Sequence, residues 1–287
     1  TWECIGNRHD PYSDIGLVRA DGTGEVVNLT GSGYTSGSPR WVMDGNAILF
    51  TTERYGMRNH ASWGSLDDVM LVFVNQDAYD KFRLNKEDYE LQKELEKEQD
   101  EAAEKKDDKK KDDKKSDKKK EESAKDIEVE LDGIQDRIVR LTPNSSSLAS
   151  AILSKDGEQL YYLSSFEGGF DMWKMDLRKH ETKLLHKMDA GWGNMELDKE
   201  GKNLFVLGAG TLQKMDTGSD ALKPVSYKAV MKMDRAAERE YMFDHVCKQE
   251  KKRFYEVNMH GVDWEMMSAS YRKFLPHINN NYDFAEL

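Results

Sequence analysis

Ser154-Lys-Asp-Gly-Glu-Gln-Leu-Tyr-Tyr-Leu163 sets an Asp-Gly pair in front of a β-rich run, and the fold is read from the recurrence of that design. Trp41-Val-Met-Asp-Gly-Asn-Ala-Ile-Leu-Phe50 repeats it upstream, and Asp198-Lys-Glu-Gly-Lys-Asn-Leu-Phe-Val-Leu207 is a weaker copy downstream. Glycine tolerates positive φ and Asp bonds its own backbone, so each pair suits a tight turn and each copy predicts a hairpin. A further strand follows the first two hairpins, at Asp68–Val74 and Phe170–Asp176. Last strands end in Leu-Thr, as in Glu25–Thr30 and Asp136–Thr142. Four short strands recurring about every 40 to 45 residues mark propeller blades. Gly157 and Gly201 stand one such period apart, whereas Gly45 and Gly157 are separated further by a charged insert. The fold class expected is mainly β: a partial β-propeller with a charged low-complexity insert, followed by a C-terminal α-helical segment. About three to four blades can be written, against four to eight in closed propellers, so an open arc or part of a larger ring is expected.

The insert explains an unusual composition. Charged residues make up 34% of the 287 and the net charge is -11. Between Lys86 and Lys125, 30 of 40 residues are charged; without them the charged fraction falls to about 27%, ordinary for a globular domain. An excess of acid argues against nucleic acid as a partner, and no apolar run approaches the ~20 residues of a membrane span. Lys86–Lys106 supports some helix through Leu84, Leu91 and Leu95 and a Glu101/Lys105 pair. Lys105–Lys125 cannot bury enough surface to offset chain entropy and is expected to be disordered. A solvated loop is the expectation for the insert, with a docking tail as the alternative.

Past Pro224 the pattern changes. Ser226–Met233 reads as a last strand, after which Asp234 caps a helix to about Arg253 with Phe243, Val246, Cys247 and Phe254 on one stripe. Asp263 begins a second helix, with Trp264, Met267, Tyr271 and Phe274 at core-facing intervals and Pro276 as its stop. The expected organisation is propeller blades in 1–85 and 126–233, the insert in 86–125, and the start of a helical core domain in 234–287. Thr1 follows no visible leader, and Asn281–Leu287 stops in what reads as the opening turn of a helix, so a fragment of a longer protein is expected. Cys4 and Cys247 lack metal-ligand or redox spacing and are expected to be free thiols.

Candidate sites compare poorly with structural readings. His60, Ser62, Ser65, Asp67 and Asp68 cluster in one loop, but a triad needs a base within reach of the hydroxyl and a third group orienting it, and no nucleophile-elbow pattern surrounds either serine. A polar inter-strand loop is expected there. His245 and Cys247 diverge on a helix and cannot grip one metal ion, so Cys247 is read as core and His245 as surface. His180 and His186 lack a partner Cys or carboxylate cluster. For His260, beside Gly261 and Asp263, a helix-stopping turn and a ligand-facing imidazole both fit. Trp41, Trp63, Trp173, Trp192 and Trp264 are expected to fill space between sheets rather than to form a stacking platform. Gly31-Ser-Gly-Tyr34 and Gly208-Ala-Gly210 lack the Lys and helix of a phosphate loop. No catalytic, cofactor-binding or metal residue is assigned.

Two longer segments are more specific. The stretch from Arg54-Tyr-Gly-Met-Arg-Asn-His-Ala-Ser-Trp-Gly-Ser-Leu-Asp-Asp to Phe82, with the Lys/Glu-rich insert behind it, resembles the propeller region of bacterial tricorn-like serine proteases. Phe254-Tyr-Glu-Val-Asn-Met-His-Gly-Val-Asp-Trp264 with Tyr271-Arg-Lys-Phe-Leu-Pro276 resembles the helical lead-in to their catalytic core, a motif shared with C-terminal-processing peptidases. The resemblance implies a large serine peptidase: propellers, a helical segment, a PDZ-like domain, and an α/β core holding a nucleophilic Ser, a general-base His, a supporting Ser and Glu, and backbone amides for the oxyanion. The sequence ends at Leu287, short of where the family's catalytic His is expected, so no catalytic residue carries over and the chain alone is expected to be inactive. A gating or scaffold role in peptide hydrolysis, a periplasmic location, peptide substrates handled by the full enzyme and a homo-oligomer are what the resemblance implies; no cofactor is implied. The alternative is an independent TolB-like propeller acting as a protein-binding module.

Overall fold

The computed structural model describes residues 1–4, 12–60, 64–108 and 127–287. Ser62, Trp63 and most of the stretch expected to be disordered lie outside the described residues. The chain divides into two compact units, Thr1–Ser226 and Tyr227–Leu287.

The first unit is built of four antiparallel sheets in chain order. Sheet 1 holds β1 (Trp2–Cys4), β2 (Asp14–Leu17) and β3 (Val27–Asn28). Sheet 2 holds β4 (Ser36–Val42), β5 (Ala47–Thr52) and β6 (Asp68–Phe73); helices α1 (Gln76–Arg83) and α2 (Lys86–Asp108) follow, and the sheet resumes at β7 (Ile138–Arg140). Sheet 3 holds β8 (Ser147–Leu153), β9 (Gln159–Ser165), β10 (Phe170–Asp176) and β11 (Glu181–Ala190), and sheet 4 holds β12 (Gly193–Leu197), β13 (Asn203–Gly208), β14 (Thr211–Asp216) and β15 (Ala221–Pro224). These are the blades of a partial propeller. All three predicted hairpins form, and Gly157 and Gly201 both take φ of +75 in their turns, a conformation a side chain would strain.

Successive sheets pack face to face through three apolar layers. Ile15 and Leu29 of sheet 1 meet Ile48, Phe50, Met70 and Val72 of sheet 2. On the other face of sheet 2, Leu49, Leu71 and Phe73 meet Leu153, Leu160 and Tyr162. Sheet 3 then offers Ile152, Tyr161 and Leu163 to Met195, Leu204 and Val206 of sheet 4. Because sheet 2 is covered on both sides, all six residues of β6 are buried, and its sequence reads as a continuous apolar run rather than an alternating one. Aliphatic side chains, two phenylalanines and two tyrosines dominate these layers, which corrects the expectation for tryptophan. Trp192 is 55% exposed and Trp41 38%. Among the described residues Trp173 is the tryptophan that packs against a layer, edge-on to Phe166.

Sheets 1, 2 and 3 each carry an Asp at or beside the start of a strand, β2, β6 and β10 in turn, that ties the sheet together. In sheet 2 the carboxylate of Asp68 accepts from Arg140, from Thr142 Oγ1 (2.8 Å) and from Ser145 Oγ (2.7 Å), while Thr142 Oγ1 accepts from Val69 N (3.1 Å). Sheet 1 repeats the arrangement: Thr30 Oγ1 donates to Asp14 (2.7 Å) and accepts from Ile15 N (3.1 Å). In sheet 3, Asp171 accepts from the backbone of Met188 and Asp189. The Leu-Thr endings therefore mark a clasp rather than the strands themselves, which are shorter than expected at β3 and β7.

The insert departs from its expected form. Helix α1, capped by Asn75, has no counterpart in the sequence reading and packs Tyr79 and Phe82 on Phe73 at ring distances of 5.7 and 5.0 Å. Leu84 caps α1 instead of joining a stripe on α2, and Leu91 and Leu95 are exposed. Helix α2 runs on through Lys105–Asp108, residues that composition assigns to disorder. Ion pairs Lys81–Glu96 and Lys93–Glu158 and the guanidinium of Arg178 hold the helices to the blades.

In the second unit, α3 (Arg235–Arg253) starts at Asp234, whose carboxylate accepts from Ala236 N and Ala237 N, and α4 (Trp264–Arg272) starts at Asp263. Helix α5 (Asn281–Glu286) is capped by Asn280. Phe243 is buried and Trp264 donates to Cys247 O (3.0 Å), but Val246 is 60% exposed and Phe254 sits at the α3 cap. Helix α4 ends at Arg272, before Phe274, and Pro276 lies in a short 3-10 turn. The strand expected over 226–233 is absent: these residues find no ladder partner after β15, and Val230 and Met231 face solvent. Cys4 and Cys247 are free thiols.

Candidate functional site

The cluster that resembled a hydrolase loop is dispersed by its local structure. Ser65 Oγ donates to the carbonyl of Met57, Asp68 is spent in the blade clasp, and His60 is exposed. His186 bonds the carbonyl of Asp220, His180 occupies a turn with φ of +55, and His245 stacks on Tyr241 at the surface. His260, also at φ +55, meets the hydroxyl of Tyr255 in the turn between α3 and α4. Among the described residues no three His, Cys, Asp or Glu side chains are grouped to hold a metal ion.

What the blades do bring together lies on their first strands. Arg40, Ile152 and Glu196 each stand five residues before the turn glycine of their blade, and Ser38, Ser150 and Asn194 each seven before it. Arg40 of β4 reaches past β8 to pair with Glu196 of β12 at 2.8 Å. A contact between blades that are not neighbours requires their first strands to converge, as the inner strands of a propeller do. Two adjoining cavities share Arg40. One, of about 310 Å³, is lined by Val42, Asp44, Ser154, Lys155 and Asp198 among others. The smaller, of about 110 Å³, is lined by Ser38, Asp67, Ser150 and Asn194. Ser150 Oγ and Asn194 Oδ1 are 3.3 Å apart across it. The lining offers both hydrogen-bond donors and acceptors and both signs of charge, which suits a peptide backbone better than a single charged group.

Asp67 carries the raised carboxyl in this lining. Burial pushes its carboxyl up from 3.8 to about 6, assisted by the neighbouring charges of Glu53 and Asp68. A carboxyl whose folded pKa is raised favours the protonated fold, so its ionisation costs stability progressively as pH rises from about 4 through 6. Asp67→Asn is expected to stabilise the protein by about 1 kcal/mol at pH 7, after allowance for solvent screening, and to change little at pH 4. Urea unfolding at the two pH values checks this; an equal effect at both would show that Asp67 does not titrate in this range. The sequence reading named Asp67 only as part of a triad candidate and missed Arg40, Glu196, Ser38, Ser150 and Asn194. Their common spacing from the turn glycines is the signal that marks them.

The fold and this inner face define a partial β-propeller followed by a separate helical unit. Residues 235–287 match the family model of the tricorn protease C1 domain. The chain also superposes on the crystal structure of the tricorn protease with a TM-score of 0.58 at 11% identity, covering 99% of this chain and 26% of that one. TolB from Acinetobacter baumannii gives 0.44 at 12% identity over 76% of this chain and 38% of its own. A Mycobacterium tuberculosis puromycin-hydrolyzing peptidase gives 0.41 at 12% identity, over 78% and 26%. Comparison with curated proteins gives no match. The family model bears out the resemblance to tricorn-like proteases drawn from residues 254–276, and over residues 54–82 the chain shares the fold of the tricorn protease. The chain spans about a quarter of the tricorn protease that it matches. No helix among the described residues is long and apolar enough to cross a membrane.

Proposed function

We propose that this chain is the non-catalytic propeller and helical lead-in of a tricorn-like serine peptidase, and that its converging first strands guide peptides on their way to or from the hydrolytic core. The Arg40–Glu196 pair carries the reading: it joins the first strands of sheets 2 and 4 across one polar inner face whose cavities have the chemistry of a peptide backbone. The second unit supports it. Tyr271 is 44% exposed and Phe274 57%, so the helices offer the apolar surface that a lead-in segment would present to a peptidase core. Residues 234–287 are accordingly assigned to the helical core domain. A periplasmic location and assembly into a homo-oligomer through the core complete the proposal.

Acyl transfer needs nucleophile, base and oxyanion donors in one preorganised constellation, so the chain by itself should not turn over fluorogenic peptides. An unstructured peptide should instead slow hydrogen exchange in 38–42, 150–154 and 194–198. Turnover abolished by a serine-directed phosphonate would overturn the non-catalytic assignment, and protection confined to other strands would overturn the guiding face.

A further inference from the structure

Beyond the inner face, the first unit holds a groove of about 780 Å³ that shares no lining residue with the two inner cavities. Ile138, Val139, Arg140 and Leu141 line it in succession. Alternate residues of a strand point to opposite faces, so a groove lined by four in a row runs along the strand's edge. That edge is open, because β7 is the last strand of sheet 2. Leu141 N donates to Val69 O, so in an antiparallel ladder the N–H and C=O groups of Ile138 and Arg140 face away from β6, toward the groove.

The opposite wall is basic. The end of α1 contributes Arg83, the start of α2 contributes Lys86, the turn between β10 and β11 contributes Arg178 and His180, and no carboxylate is among the lining residues. Asp68 occupies Arg140, and Glu90 pairs loosely with Lys86 at 3.8 Å. Arg83 and Arg178 have no carboxylate partner among the described residues; Arg178 Nη1 donates to the carbonyls of Phe82 and Leu84, which leaves its charge unneutralised, and its Nε is buried without an acceptor. Two unneutralised guanidiniums beside an open strand edge, in a chain of net charge -11, form a local site for carboxylates.

We propose that this groove binds an extended acidic peptide, which adds to β7 as a fifth strand and sets its carboxylates against Arg83 and Arg178. Strand addition supplies affinity through backbone hydrogen bonds, and the side-chain wall supplies selectivity. The chain's own residues 109–126 carry nine Lys against six acidic residues, the wrong sign for this wall. A separate peptide is therefore the occupant.

The test uses the whole chain and a fluorescein-labelled ten-residue peptide of alternating Glu and Val, read by anisotropy. Saturable binding is expected, at least tenfold weaker for Arg83→Glu and absent for the Lys/Val counterpart. A Glu/Val peptide N-methylated at alternate residues should also fail, whatever the variant does to the fold. Lack of saturation, equal binding by the N-methylated peptide, or an unchanged Arg83→Glu affinity would overturn the proposal. Displacement by a single-stranded oligonucleotide as readily as by unlabelled peptide would do the same. None of these outcomes bears on the inner cavities, so this inference and the proposed function fail separately.

Discussion

Asp68→Ala is expected to lower the unfolding free energy by about 3 kcal/mol, the cost of leaving a half-buried guanidinium and a buried hydroxyl without their acceptor. For a domain of this size that corresponds to a fall in melting temperature of roughly 6 to 12 °C. Asp68 is completely buried, and one carboxylate takes four side-chain donors: two nitrogens of Arg140, Thr142 Oγ1 and Ser145 Oγ. Truncation leaves Thr142, itself buried, without its acceptor and strands the guanidinium beside an emptied site. The clasp also joins β6 to the segment returning from the insert, so its loss loosens the outer strand of sheet 2. Asp14→Ala, which removes the corresponding carboxylate of sheet 1 without uncovering a cation, is expected to cost about 1 kcal/mol. Circular dichroism melts of the two variants make the comparison. A loss below about 1 kcal/mol for Asp68→Ala would show that the network is not what holds the blade.

The same residue shows how far sequence reasoning reaches. Asp68 and the Leu-Thr ending at 141–142 were both visible, yet one looked like part of a catalytic loop and the other like the end of a strand. Their partnership spans the insert, and no local pattern links groups so far apart in the chain. Turns and strand runs were legible because the Asp-Gly pairs and apolar runs act over a few residues. Helix α1 was missed because its two anchoring aromatics, Tyr79 and Phe82, owe their role to Phe73 on a strand below them. The strand read over 226–233 failed for the opposite reason: its composition was adequate, but a strand without a neighbouring ladder is not stable. At the inner face, Arg40 and Glu196 could be matched only by counting back from the turn glycines, since neither belongs to a chemical motif.

The second large effect concerns the part of the insert that composition describes worst. Replacing Arg178 by Ala is expected to release α1 and α2 from the blades while leaving the sheets intact. The guanidinium lies 3.8 Å from the ring centre of Tyr89 and 5.2 Å from that of Phe82, and it donates to the carbonyls of Phe82 (2.5 Å) and Leu84 (3.2 Å), where α1 ends. Stacking on two rings contributes about 1 to 2 kcal/mol, and charged bonds to helix-terminal carbonyls about as much again. The exposed pairs Lys81–Glu96 and Lys93–Glu158 contribute at most about 1 kcal/mol each. A solvated helix such as α2 is marginal without tertiary contacts, so most of its protection should depend on this one side chain. Hydrogen exchange across 76–97 is expected to accelerate by about a hundredfold, equivalent to roughly 3 kcal/mol of local stability, with β8 to β10 unchanged. Arg178→Lys should recover less than half of that, because an ammonium lacks the planar fork that stacks and bonds at once. Unchanged exchange in the helices would mean that α2 is held by something other than Arg178. Release of the helices should also abolish binding of the Glu/Val peptide, since the basic wall of the β7 groove hangs from the same clamp.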